Sequence, residues 1–321
     1  MRKIALFALG AVSLVSVAAV QAQSFPNKPI RIVVSTAPGG SPDVLARTVG
    51  QKLSENMGQQ VIVDNRPGAG GLLSAELVMA AQADGYTLLM ADSSVVSINP
   101  HFPRNASFEP LKHLVPVSLS ATSPLYLIAH AGAGISSVKE LIALAKAKPG
   151  LLYGSAGNGG AHHLAMEALK LQAGLEMNHV PYKGGAQVVP AVISGDVVVA
   201  FAGLNLAGPQ AKAGRIRILA SATAKRSALS PEIPTIAESG VPGSELTPTL
   251  GFFAPIKTPR DIVEKLNAEL IKAVKSPEVQ QRLAVLGVEG VGISTEQYAE
   301  ILREENIQYG KLVKATGARV D

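Results

Sequence analysis

Two short glycine-rich loops contain the residues best suited to bind a ligand. Each follows an apolar run typical of a β-strand and precedes a pattern typical of a helix, so its backbone N–H groups lie at a helix N-terminus. This arrangement suits a carboxylate or another anion, although a simple tight turn has the same pattern. The candidate ligand-binding residues in the two loops are Ala37, Pro38, Gly39, Gly40, Ser41 and Asp43, followed by Gly157, Asn158, Gly159, Gly160, His162 and His163.

Three further polar residues follow predicted strands and complete the candidate site. Ser93 follows a strand predicted over residues 87–90, Lys183 lies in a polar turn, and Asn205 comes just after a strand predicted over residues 197–201. Ligands of open α/β sheets bind at the carboxyl ends of strands, where all three residues are expected. A solvated loop position is the alternative for Lys183.

Enzyme, metal and nucleotide chemistry are less well supported. Residues 153–157 (Tyr-Gly-Ser-Ala-Gly) resemble the nucleophile elbow of a hydrolase, but Tyr153 stands where that motif has its first glycine. A secreted hydrolase that uses Ser155 therefore stays an alternative. Adjacent histidines on a helix point about 100° apart, so His162 and His163 do not predict a shared metal site. The loops lack the Gly-Lys-Ser/Thr ending of a phosphate-binding loop, and we expect no cofactor and no catalytic residues.

The composition excludes several classes of protein. Of the 321 residues 47% are hydrophobic, none is cysteine and none is tryptophan. The absence of cysteine rules out disulfides, thiolate nucleophiles and cysteine-bound zinc, so the fold depends on burial of its core. There is no block of lysine and arginine and few aromatic residues, which argues against binding to nucleic acid.

The N-terminus has the three parts of a secretory signal. Arg2 and Lys3 precede an apolar run over residues 4–20, and small residues at positions 20 and 22 predict cleavage after Ala22. A membrane anchor is the alternative, but the run is at the lower edge of the spanning length. Cleavage lowers the net charge from +5 to +3 and leaves an exported protein of about 299 residues.

Strand and helix patterns alternate along the chain and predict an α/β fold. Ser41 is the expected N-cap of the first long helix, with Pro42 at its first helical position. Capping boxes beginning at Ser137 and Ser294 predict two further helices. The length and a composition break at residues 121–124 predict two lobes, one from residues 23–122 and 222–321 and the other from residues 123–221.

The sequence resembles the receptors of tripartite tricarboxylate transporters, also called the Bug family of periplasmic solute-binding proteins. The motifs that carry the resemblance are residues 25–31 (FPNKPIR), 37–41 (APGGS), 65–71 (NRPGAGG), 84–89 (DGYTLL), 98–100 (INP), 155–164 (SAGNGGAHHL), 180–185 (VPYKGG) and 266–269 (LNAE). The resemblance implies a monomeric, two-lobed clamshell of the type II periplasmic-binding-protein fold, each lobe a sheet flanked by helices. It also implies that the two loops bind a ligand carboxylate by backbone groups and bridging waters, and that membrane permease subunits receive the solute.

The second lobe departs from the pattern of that family. Gly160 and Ala161 stand where the family has hydroxyl residues, and Val198 stands where it has an aspartate. Ala202 and Gly203 replace an aspartate and an asparagine. We therefore expect a less polar cleft that accepts an aromatic or otherwise apolar carboxylate, with altered or lost ligand binding as the alternative. A receptor that signals to a membrane sensor kinase instead of a permease is compatible with the same sequence.

Overall fold

The computed structural model describes residues 25–102 and 108–318, and the predicted signal segment lies outside these ranges. The strands are β1 (Ile30–Val34), β2 (Val61–Asn65), β3 (Thr87–Asp92), β4 (Leu114–Thr122), β5 (Leu125–His130), β6 (Leu151–Ser155), β7 (Met177–Pro181), β8 (Val199–Gly203), β9 (Ile216–Ser221), β10 (Thr249–Pro255) and β11 (Glu289–Gly290). The helices are α1 (Ser41–Met57), α2 (Leu72–Met79), α3 (Pro110–His113), α4 (Val138–Ala147), α5 (Ala161–Ala173), α6 (Gly185–Ser194), α7 (Leu204–Lys212), α8 (Arg260–Val274), α9 (Pro277–Val285) and α10 (Thr295–Thr316).

The first sheet has six strands in the order β11-β4-β10-β3-β1-β2. Strand β1 runs parallel to β2 and β3, whereas β10 runs antiparallel to β3 and β4. Helices α1, α8 and α9 cover one face, and α2 and the start of α10 cover the other. Burial on both faces explains why β1 is apolar at every position except Arg31, as is usual for parallel strands.

The second sheet has five strands in the order β7-β6-β8-β5-β9. Strand β6 runs parallel to β7 and β8, and β5 runs antiparallel to β8 and β9. Helices α4 and α5 pack on one face, and α6 and α7 pack on the other. The predicted α/β class, with two sheets each flanked by helices, is confirmed.

The chain passes between the two sheets at three places that lie close together. It leaves the first sheet after Thr122 and returns at Thr249, and the two passages are joined by a hydrogen bond from Ser123 N to Pro248 O (2.9 Å). The third connection is α10, which contributes Tyr298 to the core of the first sheet and Tyr309 to the core of the second.

The predicted lobe boundaries stay a prediction. Residues Ile236, Val241 and Leu246 follow β9 but pack in the core of the five-stranded sheet, on the far side of the boundary predicted at residue 221. No helix in the described ranges is long and apolar enough to cross a membrane.

Helix termini confirm some local predictions and correct others. Ser137 and Ser294 cap α4 and α10 through their side chains, as predicted. The prediction that Ser41 is an N-cap is wrong, because Gly40 is the extended N-cap residue (φ −70°, ψ 157°) and Ser41 is already helical. The strand predicted over residues 197–201 begins and ends two residues later, so Asn205 lies inside the first turn of α7 and not in a loop.

Candidate functional site

The first candidate loop joins β1 to α1 at the carboxyl end of the parallel strands. Gly39 has a φ of +89°, a conformation that glycine adopts without strain, and it turns the chain into the helix. The first hydrogen bond of α1 runs from Val44 N to Gly40 O (3.0 Å). The N–H groups of Ser41 and Asp43 therefore have no partner within the helix, which is the feature that lets a helix N-terminus bind an anion.

Asp43 holds this loop in shape. Asp43 is 2% exposed, and its side chain accepts hydrogen bonds from Gly39 N (2.9 Å), Asn65 Nδ2 (2.8 Å) and Arg47 Nε (3.0 Å). Burial acts to raise the pKa of Asp43, but the hydrogen bonds from Gly39, Asn65 and Arg47 outweigh it and hold the pKa below its usual value. The carboxylate is thus occupied by hydrogen bonds within the protein, and the role of Asp43 is to position the loop.

Asn65 is a second residue that shapes the loop, and sequence reasoning missed it. From the end of β2 its side-chain amide also donates to Thr36 O (3.0 Å), and its side-chain oxygen accepts from Arg47 Nη2 (2.9 Å). Its position at the start of the glycine-rich motif over residues 65–71 was the available signal, because a polar residue at a strand end next to another strand can reach the neighbouring loop.

Two hydroxyl groups beside the loop lack hydrogen-bond partners. The side-chain oxygens of Ser35 and Thr36 are buried and make no hydrogen bond. A Cβ added to Gly40 would lie 2.8 Å from Thr36 Oγ1, so the Thr36 hydroxyl lies at the N-terminus of α1. A buried hydroxyl without a partner costs about 1–3 kcal/mol, which a bound acceptor would recover. Neither hydroxyl was predicted as a site residue, because serine and threonine are also ordinary turn residues.

The second candidate loop joins β6 to α5 in the five-stranded sheet. Gly157 and Gly159 have φ values of +131° and +69°, and Gly160 is the extended N-cap residue. The first helical hydrogen bond runs from Leu164 N to Gly160 O (3.0 Å). The N–H groups of Ala161 and His162 are therefore unpaired within the helix. The local geometry repeats that of the first loop, on the other sheet.

Ser155 lies beneath this loop and is committed to internal contacts. Its side chain is fully buried, and its Oγ lies 2.6 Å from His179 Nε2 and 2.9 Å from Gly157 O. Gly157 N donates to the same oxygen at 3.2 Å. A hydroxyl in this position supports the loop and is closed to an ester substrate, which argues against the hydrolase interpretation.

His163 supports the same loop from the helix side. It is 6% exposed, and its Nδ1 accepts a hydrogen bond from Gly159 N (3.0 Å), which fixes the proton of the neutral ring on Nε2. Its ring stacks on His179 with centroids 3.9 Å apart. Burial and the neighbouring His179 lower the pKa of His163 to about 4.

The neutral state of His163 predicts a loss of stability in acid. The pKa of about 4 in the folded protein lies below the ordinary value of 6.5. The stabilising contribution is therefore complete above pH 6.5 and is lost as the pH falls toward 4, by about 3 kcal/mol for a shift of this size. We expect His163→Asn, which retains an acceptor near Nδ1, to lose less stability than the wild type between pH 7 and pH 4.5 in denaturant titrations. His113→Asn changes an exposed histidine and should lose as much stability as the wild type. If all three proteins lost the same free energy of unfolding between pH 7 and pH 4.5, the low pKa of His163 would be contradicted.

The remaining candidate residues are more dispersed. Ser93 is buried at the end of β3, where its Oγ accepts a long hydrogen bond from Thr249 N (3.4 Å). Lys183 is exposed, and its backbone N–H donates to Gln187 Oε1 (3.0 Å). Asn205 is exposed and lies against Gly287, whose added Cβ would be 3.1 Å from Asn205 N. His162 is partly buried, and burial lowers its pKa to about 4. The assignment of these residues to a ligand site stays a prediction.

An open groove of about 510 Å³ lies elsewhere, between the outer face of α1 and the edge strand β2. Neither candidate loop contributes a lining residue to it, and its walls include the exposed charged side chains of Arg47 and Glu55. We do not assign this groove to the ligand. Among the described residues no group of three histidine, aspartate or glutamate side chains could hold a metal ion.

The chain matches the family described as "Tripartite tricarboxylate transporter family receptor" over residues 45–318. It belongs to that family. The resemblance found in the sequence motifs is thereby confirmed. One relative is a UPF0065 protein in the tcbD-tcbE intergenic region of Pseudomonas sp. (strain P51). It is 38% identical over 90% of this chain and 87% of its own length. Protein BugT of Bordetella pertussis is 33% identical over 94% of each chain.

Three solved structures share the fold of this chain. An R. palustris protein with adipate is 33% identical, with a TM-score of 0.83 over 92% of this chain and all of its own. MatC from Rhodopseudomonas palustris with bound malate is 28% identical, with a TM-score of 0.78 over 90% of this chain and all of its own. The periplasmic binding protein BugD is also 28% identical, with a TM-score of 0.79 over 92% of this chain and all of its own.

Proposed function

We propose that the protein is a periplasmic receptor that captures a small organic carboxylate between two lobes and delivers it to a tripartite tricarboxylate-type permease. The observation that carries this proposal is the N-terminus of α1. Two unpaired backbone N–H groups, of Ser41 and Asp43, lie there beside the buried and unpartnered hydroxyl of Thr36. Donors arranged in this way stabilise a carboxylate without a cationic side chain.

The second loop provides a matching set of donors. Ala161 and His162 have unpaired N–H groups at the N-terminus of α5, and the loop is fixed by Ser155 and His163 from below. We propose that the two loops face each other and that hinge closure brings both to the same solute. The moving units are the lobes predicted from the sequence, residues 23–122 with 222–321 and residues 123–221.

The solute is an aromatic or otherwise apolar carboxylate under this proposal. Gly160, Ala161, Ala202 and Gly203 offer no polar side chain at the carboxyl ends of β6 and β8, and Val198 packs against the core of its sheet. Adipate, present in the structure of the R. palustris relative, combines carboxylates with an apolar chain. A cleft with few polar side chains favours a solute whose body is apolar, because polar groups buried there would lack partners.

The test is a thermal-shift screen of residues 23–321 after unfolding and refolding to remove any solute carried through purification. The panel contains adipate, malate, citrate, nicotinate, benzoate and amino acids. A carboxylate at a hundred times its dissociation constant should stabilise the protein by about 2.7 kcal/mol, which raises the melting temperature by several degrees. We expect the apolar carboxylates to give the largest shifts. Stabilisation by neutral or cationic compounds alone would overturn the proposal.

A further inference from the structure

A buried carboxyl group lies at the place where the chain connects the two sheets. Glu305 is 8% exposed and sits on α10 between Tyr298 and Leu302, which pack with the first sheet, and Tyr309, which packs with the second. The Glu305 carboxyl accepts hydrogen bonds from Ser97 Oγ (2.9 Å) and Thr249 Oγ1 (2.8 Å). It therefore joins the connecting helix to the residue at which the chain re-enters the first sheet.

Among the residues that the structure describes, the groups that face Glu305 carry no positive charge. The end of β3 presents Asp92, and the segment after it presents Ser93 and Ser97. Strand β10 presents Thr249, and α10 itself presents Tyr298 and Tyr309. The imidazole of His101 lies against Gly310, which is further along α10. Asp92 adds a second carboxyl, and its pKa is raised by burial.

A carboxylate in such a cluster is costly. Removing an ionised carboxyl from water without a cation costs several kcal/mol, and a second carboxyl nearby adds repulsion. Burial raises the pKa of Glu305 to about 7, and the neighbouring Asp92 acts in the same direction. The group thus changes its proton occupancy close to neutral pH, whereas an exposed glutamate is ionised there.

We propose that Glu305 is a proton-binding site that controls the junction of the two sheets. With the proton bound, the carboxyl is a neutral hydrogen-bonding partner of Ser97 and Thr249 and the junction is tight. Without it, the junction contains an uncompensated charge that is relieved when water enters, so the connection loosens and the sheets can reorient. The proton is thus a second ligand of the protein, and its binding does not depend on the identity of the solute.

The direction of the pH dependence follows from the raised pKa. The folded junction binds the proton up to about pH 7, whereas an opened, hydrated junction releases it near 4.5. The stabilisation of the closed junction by the bound proton is therefore complete below pH 4.5. It falls as the pH rises from 4.5 and is lost above about pH 7. Between pH 6 and pH 8 the opening equilibrium should increase about tenfold.

The experiment is amide hydrogen exchange of the solute-free protein at pH 6 and pH 8, corrected for the intrinsic exchange rate. The peptides of interest cover residues 118–127 and 245–252. We expect about tenfold more opening at pH 8 in the wild type and no such change in Glu305→Gln. Glu304→Gln removes the exposed neighbouring carboxyl and should behave as the wild type. If the opening increased by the same factor from pH 6 to pH 8 in the wild type and in Glu305→Gln, the proposal would be overturned.

A second variant keeps the test decisive if Glu305→Gln does not fold. Ser97→Ala removes one donor to the ionised carboxyl, so the pH midpoint of the opening should move upward. An unchanged midpoint in Ser97→Ala would overturn the proposal in the same way. Because no solute is present, either failure leaves the screen for carboxylate binding unaffected, and a failed screen leaves this result unaffected.

Discussion

Gly40→Asp should abolish carboxylate binding while leaving the protein folded. The substitution places a negative charge at the N-terminus of α1, where the proposed ligand carboxylate is bound. Two like charges about 4 Å apart repel by about 4 kcal/mol at an effective dielectric constant of 20, which corresponds to roughly a thousandfold loss of affinity. Gly40 has a φ of −70°, so a side chain there introduces no backbone strain, and aspartate is a favoured N-cap residue.

The control for this prediction is Gly40→Asn. Asparagine has nearly the same shape and is an equally good N-cap, so it meets the same Thr36 side chain that a Cβ at this position would approach to 2.8 Å. It carries no charge. We expect calorimetric titration with the best carboxylate from the thermal-shift screen to show much weaker binding for the aspartate variant than for the asparagine variant. Equal losses would mean that the added side chain blocks the site by crowding or by accepting from the same N–H groups, and not by charge repulsion.

Asp43→Ala should lower both stability and affinity. The variant leaves Gly39 N–H and the Asn65 amide without their acceptor, and each unsatisfied buried donor costs about 1–3 kcal/mol. The ion pair with Arg47 adds little, because the Arg47 side chain is half exposed. We expect the free energy of unfolding to fall by about 2–4 kcal/mol in denaturant titrations. Carboxylate affinity should fall at least tenfold, because the loop is no longer held in shape.

Two comparison variants separate these causes. Asp261→Ala removes an exposed acidic residue from the first turn of α8 and should change stability by less than about 0.5 kcal/mol. Asp43→Asn keeps one acceptor for Gly39 but brings an amide against donors, so its cost should lie between those of the wild type and Asp43→Ala. If Asp43→Ala were as stable as Asp261→Ala, the role of Asp43 as the anchor of the loop would be wrong.

Local sequence patterns determined much of the architecture. The apolar run of β1, the spacing of Leu45, Val49 and Leu53 on α1, and the capping serines each predict one element, and the structure has these elements in the predicted places. They are predictable because period and capping depend on neighbours within a few residues. Each buried leucine or valine of α1 contributes about 1.5–3 kcal/mol, so the pattern also locates part of the core.

Strand β10 was harder to predict, because its place depends on distant partners. Residues Thr249–Pro255 lie between β3 and β4, more than a hundred residues away in the chain, and all seven are buried. The offset of β8 has a similar origin. Val197 and Val198 suit a strand by composition, but the ladder with β5 begins at Val199.

The two glycine-rich loops could be predicted from the sequence, because a strand, a glycine turn and a helix start are all local signals. The groups that support these loops could not be predicted, because they come from distant parts of the chain. Asn65 reaches the first loop from the neighbouring strand, His179 reaches Ser155 from β7, and Ser97 and Thr249 meet Glu305 across more than fifty residues of chain. Whether a polar side chain is a ligand contact, a support or a buried proton site depends on which distant groups surround it. That information arises only when the sheets are assembled, because burial and hydrogen bonding are properties of the packed chain.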